Sequence, residues 1–263
     1  MIPKIIHYCW LSDFPLPNNV QKCIESWKKY MPDYQIKRWS TKNFDINSIT
    51  LVKEAYNAQK WAFAADYIRV YALYTEGGIY LDSDVMLYGN FEPLLDSDFV
   101  SGIEYHPSFE EEKLNLENCI LDESGKRCNK NKKVYGIGIQ AAVLAAEKGH
   151  PLMKKCMDLY KNYTLESLLK EQMTAPSVIA YNAEEFGFIY KDKEQRLCSS
   201  IHLYPTTIIS NYDQKNKKSI AVHYCAGSWT NKSIKKQITK TLNRYKLYKI
   251  IRNTIKDFLY KKK

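Results

Sequence analysis

Two aspartates stand one residue apart, Asp82-Ser83-Asp84, at the end of the short apolar run Ile79-Tyr80-Leu81. On an extended chain, side chains separated by one residue point to the same side. Like charges that close repel, and the pair is costly unless a cation or hydrogen-bond donors lie between them. Carboxylates are seldom buried without a partner. An apolar strand that ends on two aspartates therefore suits a hard divalent cation held by oxygen ligands, Mg²⁺ or Mn²⁺. The tripeptide alone is more often a solvated turn, so its surroundings decide. Upstream, Asp66 and Arg69 lie three apart, on one face of a predicted helix. Their flanks are alanine, tyrosine, isoleucine and valine, which favours partial burial over a surface ion pair.

The segment that must position these groups runs from Trp61 to Leu87. Ala62, Ala65, Arg69, Ala72 and Leu73 are strong helix formers, and Ala65, Ile68, Ala72 and Leu73 recur at helical spacing. Gly77 and Gly78 predict a left-handed cap that ends the helix. Ile79 to Leu81 then reads as a buried strand.

The pattern Ala65-Asp66-x-x-Arg69, then Leu73-Tyr74-x-x-Gly77-Gly78-x-Tyr80-x-Asp82-x-Asp84, resembles the sugar-transferase signature of glycosyltransferase family 32. That family includes yeast-type α-mannosyltransferases, bacterial capsule and O-antigen transferases and, more distantly, the clostridial glucosylating toxins. A second match comes near the end of the chain, where His223 precedes Gly227-Ser228-Trp229. Together the matches span roughly residues 2 to 229.

The resemblance implies an α/β fold of the GT-A type, a Rossmann-like nucleotide-sugar transferase domain over residues 1–230. It implies a metal, Mn²⁺ or Mg²⁺, held by Asp82, Asp84 and His223, with Asp66, Arg69, Asp82 and Asp84 as catalytic residues. Arg69 then contacts the diphosphate or orients Asp66 against sugar hydroxyls. The implied donor-binding set is His7, Trp10, Asp66, Arg69, Tyr80, Ser83, Ser228 and Trp229. The implied reaction retains anomeric configuration. It moves a hexose from a nucleotide sugar, UDP-linked by preference, to a glycan acceptor, with the leaving phosphate as base. The expected setting is bacterial capsule or O-antigen synthesis on a lipid-linked acceptor. Two rivals remain: a toxin-like transferase acting on a protein, and a non-enzymatic basic-tailed adaptor for membranes or nucleic acid.

The rest of the chain fits a β-α-β-α-β order. Ile2 to Trp10 reads as a strand, Asn18 or Asn19 caps a helix to Tyr30, Tyr34 to Trp39 is a second strand, and Asn47 to Gln59 is helical. Ligands of open α/β sheets sit beyond the carboxyl ends of the strands, close to His7 and Trp10. Trp10 is either a stacking platform for the base, as the resemblance implies, or a core tryptophan. No G-x-G-x-x-G is present, which argues against a dinucleotide site. Gly136 and Gly138 suggest close approach of a sugar to backbone, and Gln140 is a candidate substitute for an asparagine that the family often places there. His150-Pro151 is read as the start of a helix. Residues 166–180 read as a helix pair interrupted at Pro176, and 201–204 and 219–223 as late strands. Residues 106–133 give no periodic signal.

The seven cysteines form no C-x-x-C pair, which argues against a disulfide framework or a structural zinc and fits a reducing cytoplasm. No apolar run reaches the roughly 18–20 residues that span a bilayer, and no signal peptide is expected. The net charge of +10 is uneven: residues 231–263 hold 12 Lys and Arg against one acid, leaving 27 basic and 28 acidic residues elsewhere. A neutral body argues against nucleic acid as a partner. The C-terminal segment 231–263, with Ile234, Ile238, Leu242 and Tyr245 among its apolar positions, is expected to be a basic amphipathic helix on the inner face of the cytoplasmic membrane.

Overall fold

A computed structural model describes residues 1–106, 114–115 and 118–225. Among these residues the chain folds around a seven-stranded mixed sheet in the order β2-β1-β3-β6-β5-β8-β7. The strands are β1 (Ile5–Cys9), β2 (Gln35–Trp39), β3 (Gly78–Leu81), β5 (Phe99–Tyr105), β6 (Ile137–Ala146), β7 (Gln195–Leu197) and β8 (Ile201–Tyr204). A second sheet of three strands has the order β4-β10-β9, formed by β4 (Val85–Leu87), β9 (Ile209–Asn211) and β10 (Ala221–His223). The expected α/β class is borne out, with the β-α-β-α-β opening in the anticipated order.

β1 pairs in parallel with β2 and β3, whereas β6 runs antiparallel to both β3 and β5. Strands β1, β3 and β5 therefore end on the same edge of the sheet. All ten residues of β6 are buried, as expected of a central strand covered on both faces. One face packs against helices α2 (Thr50–Asn57), α3 (Trp61–Glu76), α4 (Pro151–Lys161) and α6 (Ala175–Ala183), while the short α5 (Leu165–Lys170) flanks α2. The other face packs against α1 (Asn18–Tyr30) and the small sheet.

The apolar positions Val20, Cys23, Ile24 and Trp27 of α1 are buried together, as their spacing requires. Trp27 also donates from Nε1 to the Val85 carbonyl at 2.8 Å, tying α1 to β4. No asparagine caps α1: Pro17 occupies the cap and Asn18 is already helical. Gly77 ends α3 with φ 71°, and its amide donates to the Leu73 carbonyl. A Cβ there would lie 2.7 Å from the Lys148 amide nitrogen, so space as well as φ demands glycine. Its ψ of −170° is extended, so the cap departs from the expected left-handed one.

Pro176 does not interrupt a helix. It lies in the first turn of α6, behind a Thr174 hydroxyl that accepts from the Ser177 amide. Gly138 leaves room for this helix start, because a Cβ would sit 2.9 Å from the Pro176 carbonyl oxygen. The expectation that Gly138 faces a sugar is thereby corrected. His150 caps α4, its ring accepting from the Leu152 amide. All seven cysteines are free thiols. No helix of the described residues is long and apolar enough to cross a membrane.

Candidate active site

The site forms where β3 ends. Asp82 and Asp84 do not lie on an extended strand. They flank a tight turn between β3 and β4, closed by the Val85 amide donating to the Asp82 carbonyl at 2.9 Å. The Asp82 amide donates to Ala142 of β6 at 2.8 Å, which holds the turn against the sheet edge. β10 pairs antiparallel with β4 and places His223 opposite Val85. As a result one ligand atom each from Asp82, Asp84 and His223 lies within 4.8 Å of the others. His223 Nε2 is 3.3 Å from Asp84 Oδ1.

Two carboxylates and an imidazole suit a borderline cation such as Mn²⁺ better than Mg²⁺, which prefers oxygen alone. The residues fit the group that the sequence implied. Burial opposes the charged form of His223, but attraction to Asp84, with help from Cys225, carries its pKa well above the ordinary imidazole value. A cation in this space would take the place of that proton.

Behind the carboxylates stands Arg69, almost fully buried on α3. Its Nη2 lies 2.9 Å from Asp66 Oδ1 and 3.4 Å from Asp82 Oδ1. Its Nη1 donates to the Ala141 carbonyl at 2.6 Å. The buried guanidinium is engaged by Asp66, Asp82 and the Ala141 carbonyl, an arrangement suited to orienting the carboxylates. Tyr80 completes the arrangement. Its hydroxyl donates to Asp82 Oδ1 at 3.0 Å, and Arg69 lies 5.1 Å from its ring centroid. Burial pushes the Asp66 carboxyl up to about 6, against the pull of Arg69 and with the aid of Asp82.

Other expected site residues separate. Trp10 follows β1 at the same edge, partly buried, its Nε1 donating to the Phe14 carbonyl. Ser83 sits in the turn between the aspartates. His7 is elsewhere. It is fully buried, one ring nitrogen 2.8 Å from the Gly77 carbonyl oxygen and the other accepting from Trp39 Nε1 at 3.1 Å. Both nitrogens are satisfied inside the core at the start of β3, so the structure does not bring His7 to the carboxylates. Ser228, Trp229 and the expected helix over 231–263 lie outside the described residues.

The structure adds Glu104, His106 and Asn211, which the sequence did not single out, around Gln140, which it did. Glu104 ends β5 on the edge where Asp82 ends β3. Burial raises its pKa, opposed by His106 and His223, while Asp82 adds to the rise. Gln140 Nε2 donates to Asn211 Oδ1 at 3.0 Å, and Asn211 contacts His106. An acid at a strand end was the one available signal, since Asp82 presents the same pattern.

Comparison with known proteins agrees with the signature. Residues 17–100 match the family model described as the glycosyltransferase sugar-binding region containing DXD motif. The recognition of a DXD-type glycosyltransferase region is thus borne out over this segment. Inositol phosphoceramide mannosyltransferase 3 of Schizosaccharomyces pombe (strain 972 / ATCC 24843) is 33% identical over 98 residues, 36% of this chain and 27% of that protein. The chain therefore matches about a quarter of that relative's length. Among solved structures, the PaToxG glycosyltransferase is similar at 16% identity, with 70% of this chain and 69% of that one covered and a TM-score of 0.44. Mouse xyloside xylosyltransferase 1 is similar at 10% identity, with 85% and 98% covered and a TM-score of 0.47.

Proposed function

We propose that this protein is a metal-dependent, retaining glycosyltransferase of the GT-A type that moves a hexose from a nucleotide sugar, UDP-linked by preference, to a glycan acceptor. The observation that carries the reading is the convergence of Asp82, Asp84 and His223 on one space beside the matched sugar-binding region. A divalent cation bound there would neutralise the charge that develops on a diphosphate leaving group. Asp82 and Asp84 hold that position, and Arg69 and Tyr80 fix the rotamer of Asp82. Asp66, buried beside them, is the carboxyl available to sugar hydroxyls. In the transfer, the bond from the anomeric carbon to the diphosphate oxygen breaks with its electron pair leaving on the phosphate. The acceptor oxygen bonds to the same carbon from the same face, and its proton passes to the departing phosphate. Placement of Trp10 at the end of β1 suits stacking on the nucleotide base.

The proposal extends to polysaccharide synthesis on a lipid-linked acceptor at the inner face of the cytoplasmic membrane, supported by the concentration of charge in residues 231–263.

The test is hydrolysis of UDP- and GDP-hexoses by purified protein with Mn²⁺, Mg²⁺ or chelator, which requires no acceptor. Turnover of one donor, lost with chelator and in Asp84→Asn, is the expected result. Absence of both turnover and metal-dependent donor binding by calorimetry would sink the reading.

A further inference from the structure

Next to the three converging ligands lies an aromatic face for which the donor chemistry has no use. Tyr88 follows β4, Tyr224 follows β10, and Tyr212 opens the 3-10 turn after β9. Strand pairing in the small sheet brings these three sequence-distant tyrosines together. The Tyr88 amide donates to the Ile220 carbonyl and the Tyr224 amide donates to the Asp84 carbonyl at 3.1 Å. The hydroxyls of Tyr88 and Tyr224 meet in a hydrogen bond. The Tyr212 ring lies 5.0 Å from the Tyr224 ring, tilted by 36°. Lys215 Nζ stands 3.6 Å from the Tyr88 ring centroid.

Core packing does not account for the cluster, because Tyr212 is 56% exposed and Tyr88 37% exposed. The rings are braced by one another and by a cation, so little rotamer entropy remains to be lost on binding. Braced aromatic rings with phenol hydroxyls and one ammonium at the rim match a pyranose, which has an apolar C–H face and hydroxyls around its edge. Location adds the second argument. The Tyr224 backbone amide is hydrogen-bonded to the Asp84 carbonyl and Tyr224 follows His223 in the chain, so the tyrosines stand beside the candidate cation site. Lys215 lies over the Tyr88 ring and Asp213 on the same turn faces His106 Nδ1 at 3.7 Å, so neither stands out as a partner for a charged sugar.

We propose that Tyr88, Tyr212, Tyr224 and Lys215 form the acceptor subsite, and that it takes a neutral hexopyranoside stacked on the outward face of Tyr212. The inference rests on the transferase reading above and names its acceptor class.

The test measures transfer and donor hydrolysis side by side on the full chain with Mn²⁺. Octyl α- and β-glycosides of glucose, galactose and mannose serve as acceptor probes, and their binding is read by saturation-transfer NMR. At least one glycoside binds the wild type. Tyr212→Ala lowers the ratio of transfer to hydrolysis by about tenfold or more through a raised acceptor KM, whereas Tyr212→Phe keeps the ratio within about twofold. An unchanged ratio in Tyr212→Ala, an equal fall in both rates, or no glycoside bound by the wild type overturns the subsite while leaving the transferase reading intact. Failure of the wild type to hydrolyse or bind any donor overturns both.

Discussion

At the C-terminal edge of β3, Asp82, Asp84 and His223 turn their ligand atoms toward one space, with Arg69 behind them. At the opposite end of the same sheet, before β5 begins, Asp96, Glu194 and His202 are gathered with Arg196. Both clusters consist of two carboxylates, a histidine and an arginine, yet only the first resembles a site. In the second, His202 Nδ1 is 2.8 Å from Asp96 and Nε2 is 2.8 Å from Glu194. The two nitrogens of an imidazole face different ways, so each carboxylate is held on its own side of the ring and no cation can touch both. Arg196 occupies the other oxygen of Asp96 at 2.6 Å. The second cluster is a clamp with its bonds made.

The carboxyls beside the two arginines also titrate in opposite directions. Burial raises Asp66 to about 6 despite Arg69, with the Asp82 charge adding to the rise. Burial also raises Asp96 and is the largest single influence there, but the hydrogen bonds and charges of Arg196 and His202 together outweigh it and bring the carboxyl down to about 2. An arginine neighbour does not by itself set the direction of the shift. Desolvation set against pairing does.

The contrast is open to experiment. Removing a converging ligand should cost most: Asp84→Asn lowers donor turnover by about 10²–10³-fold with unchanged circular dichroism. A loss below threefold would mean that the convergence is as inert as the clamp. Arg69→Lys keeps the charge but cannot reach Asp66, Asp82 and the Ala141 carbonyl together. Titration calorimetry should show Mn²⁺ binding weakened about 10–100-fold.

His202→Gln should leave donor turnover near the wild-type rate and lower unfolding stability by about 1–3 kcal/mol in urea titrations. Lost turnover at retained stability would make the clamp a functional site.

The smallest effects are in pH dependence, measured on metal-free protein. Asp66 has a folded pKa above its ordinary value of 3.8, so its contribution to stability is fully present below that value and is lost as pH rises through about 6. Asp96 has a folded pKa below 3.8, so its contribution is present above that value and is lost as pH falls through about 2. Urea midpoints should therefore vary less between pH 4 and 6.5 in Asp66→Asn than in wild type. Asp96→Asn should alter the profile only at lower pH.

Much of the carboxylate site was legible before any coordinates. Helical spacing from Ala65 to Leu73, a double glycine and an apolar triplet locate α3 and β3 because those signals are local, set by side-chain period and backbone freedom. The pairing of Asp66 with Arg69 follows from their three-residue spacing. His7 was misjudged because a histidine near a strand end looks the same in sequence whether it faces a ligand or, as here, Gly77 and Trp39. Gly138 was misjudged because close backbone approach has the same signature whether the neighbour is a sugar or Pro176.

What the sequence determined by itself, then, is the local order of elements and the presence of paired acids at a strand end. Period, capping and charge repulsion act over a few residues and need no knowledge of what lies across the fold. Only the tertiary structure decided which groups share a space. The β4–β10 pairing sets His223 against Asp84 across 138 intervening residues and brings Tyr88 to Tyr224, and the β10–β9 pairing adds Tyr212. Parallel β3 and β5 end Glu104 and Asp82 on one edge. Such meetings depend on strand register, where a one-residue slip sends each side chain to the other face.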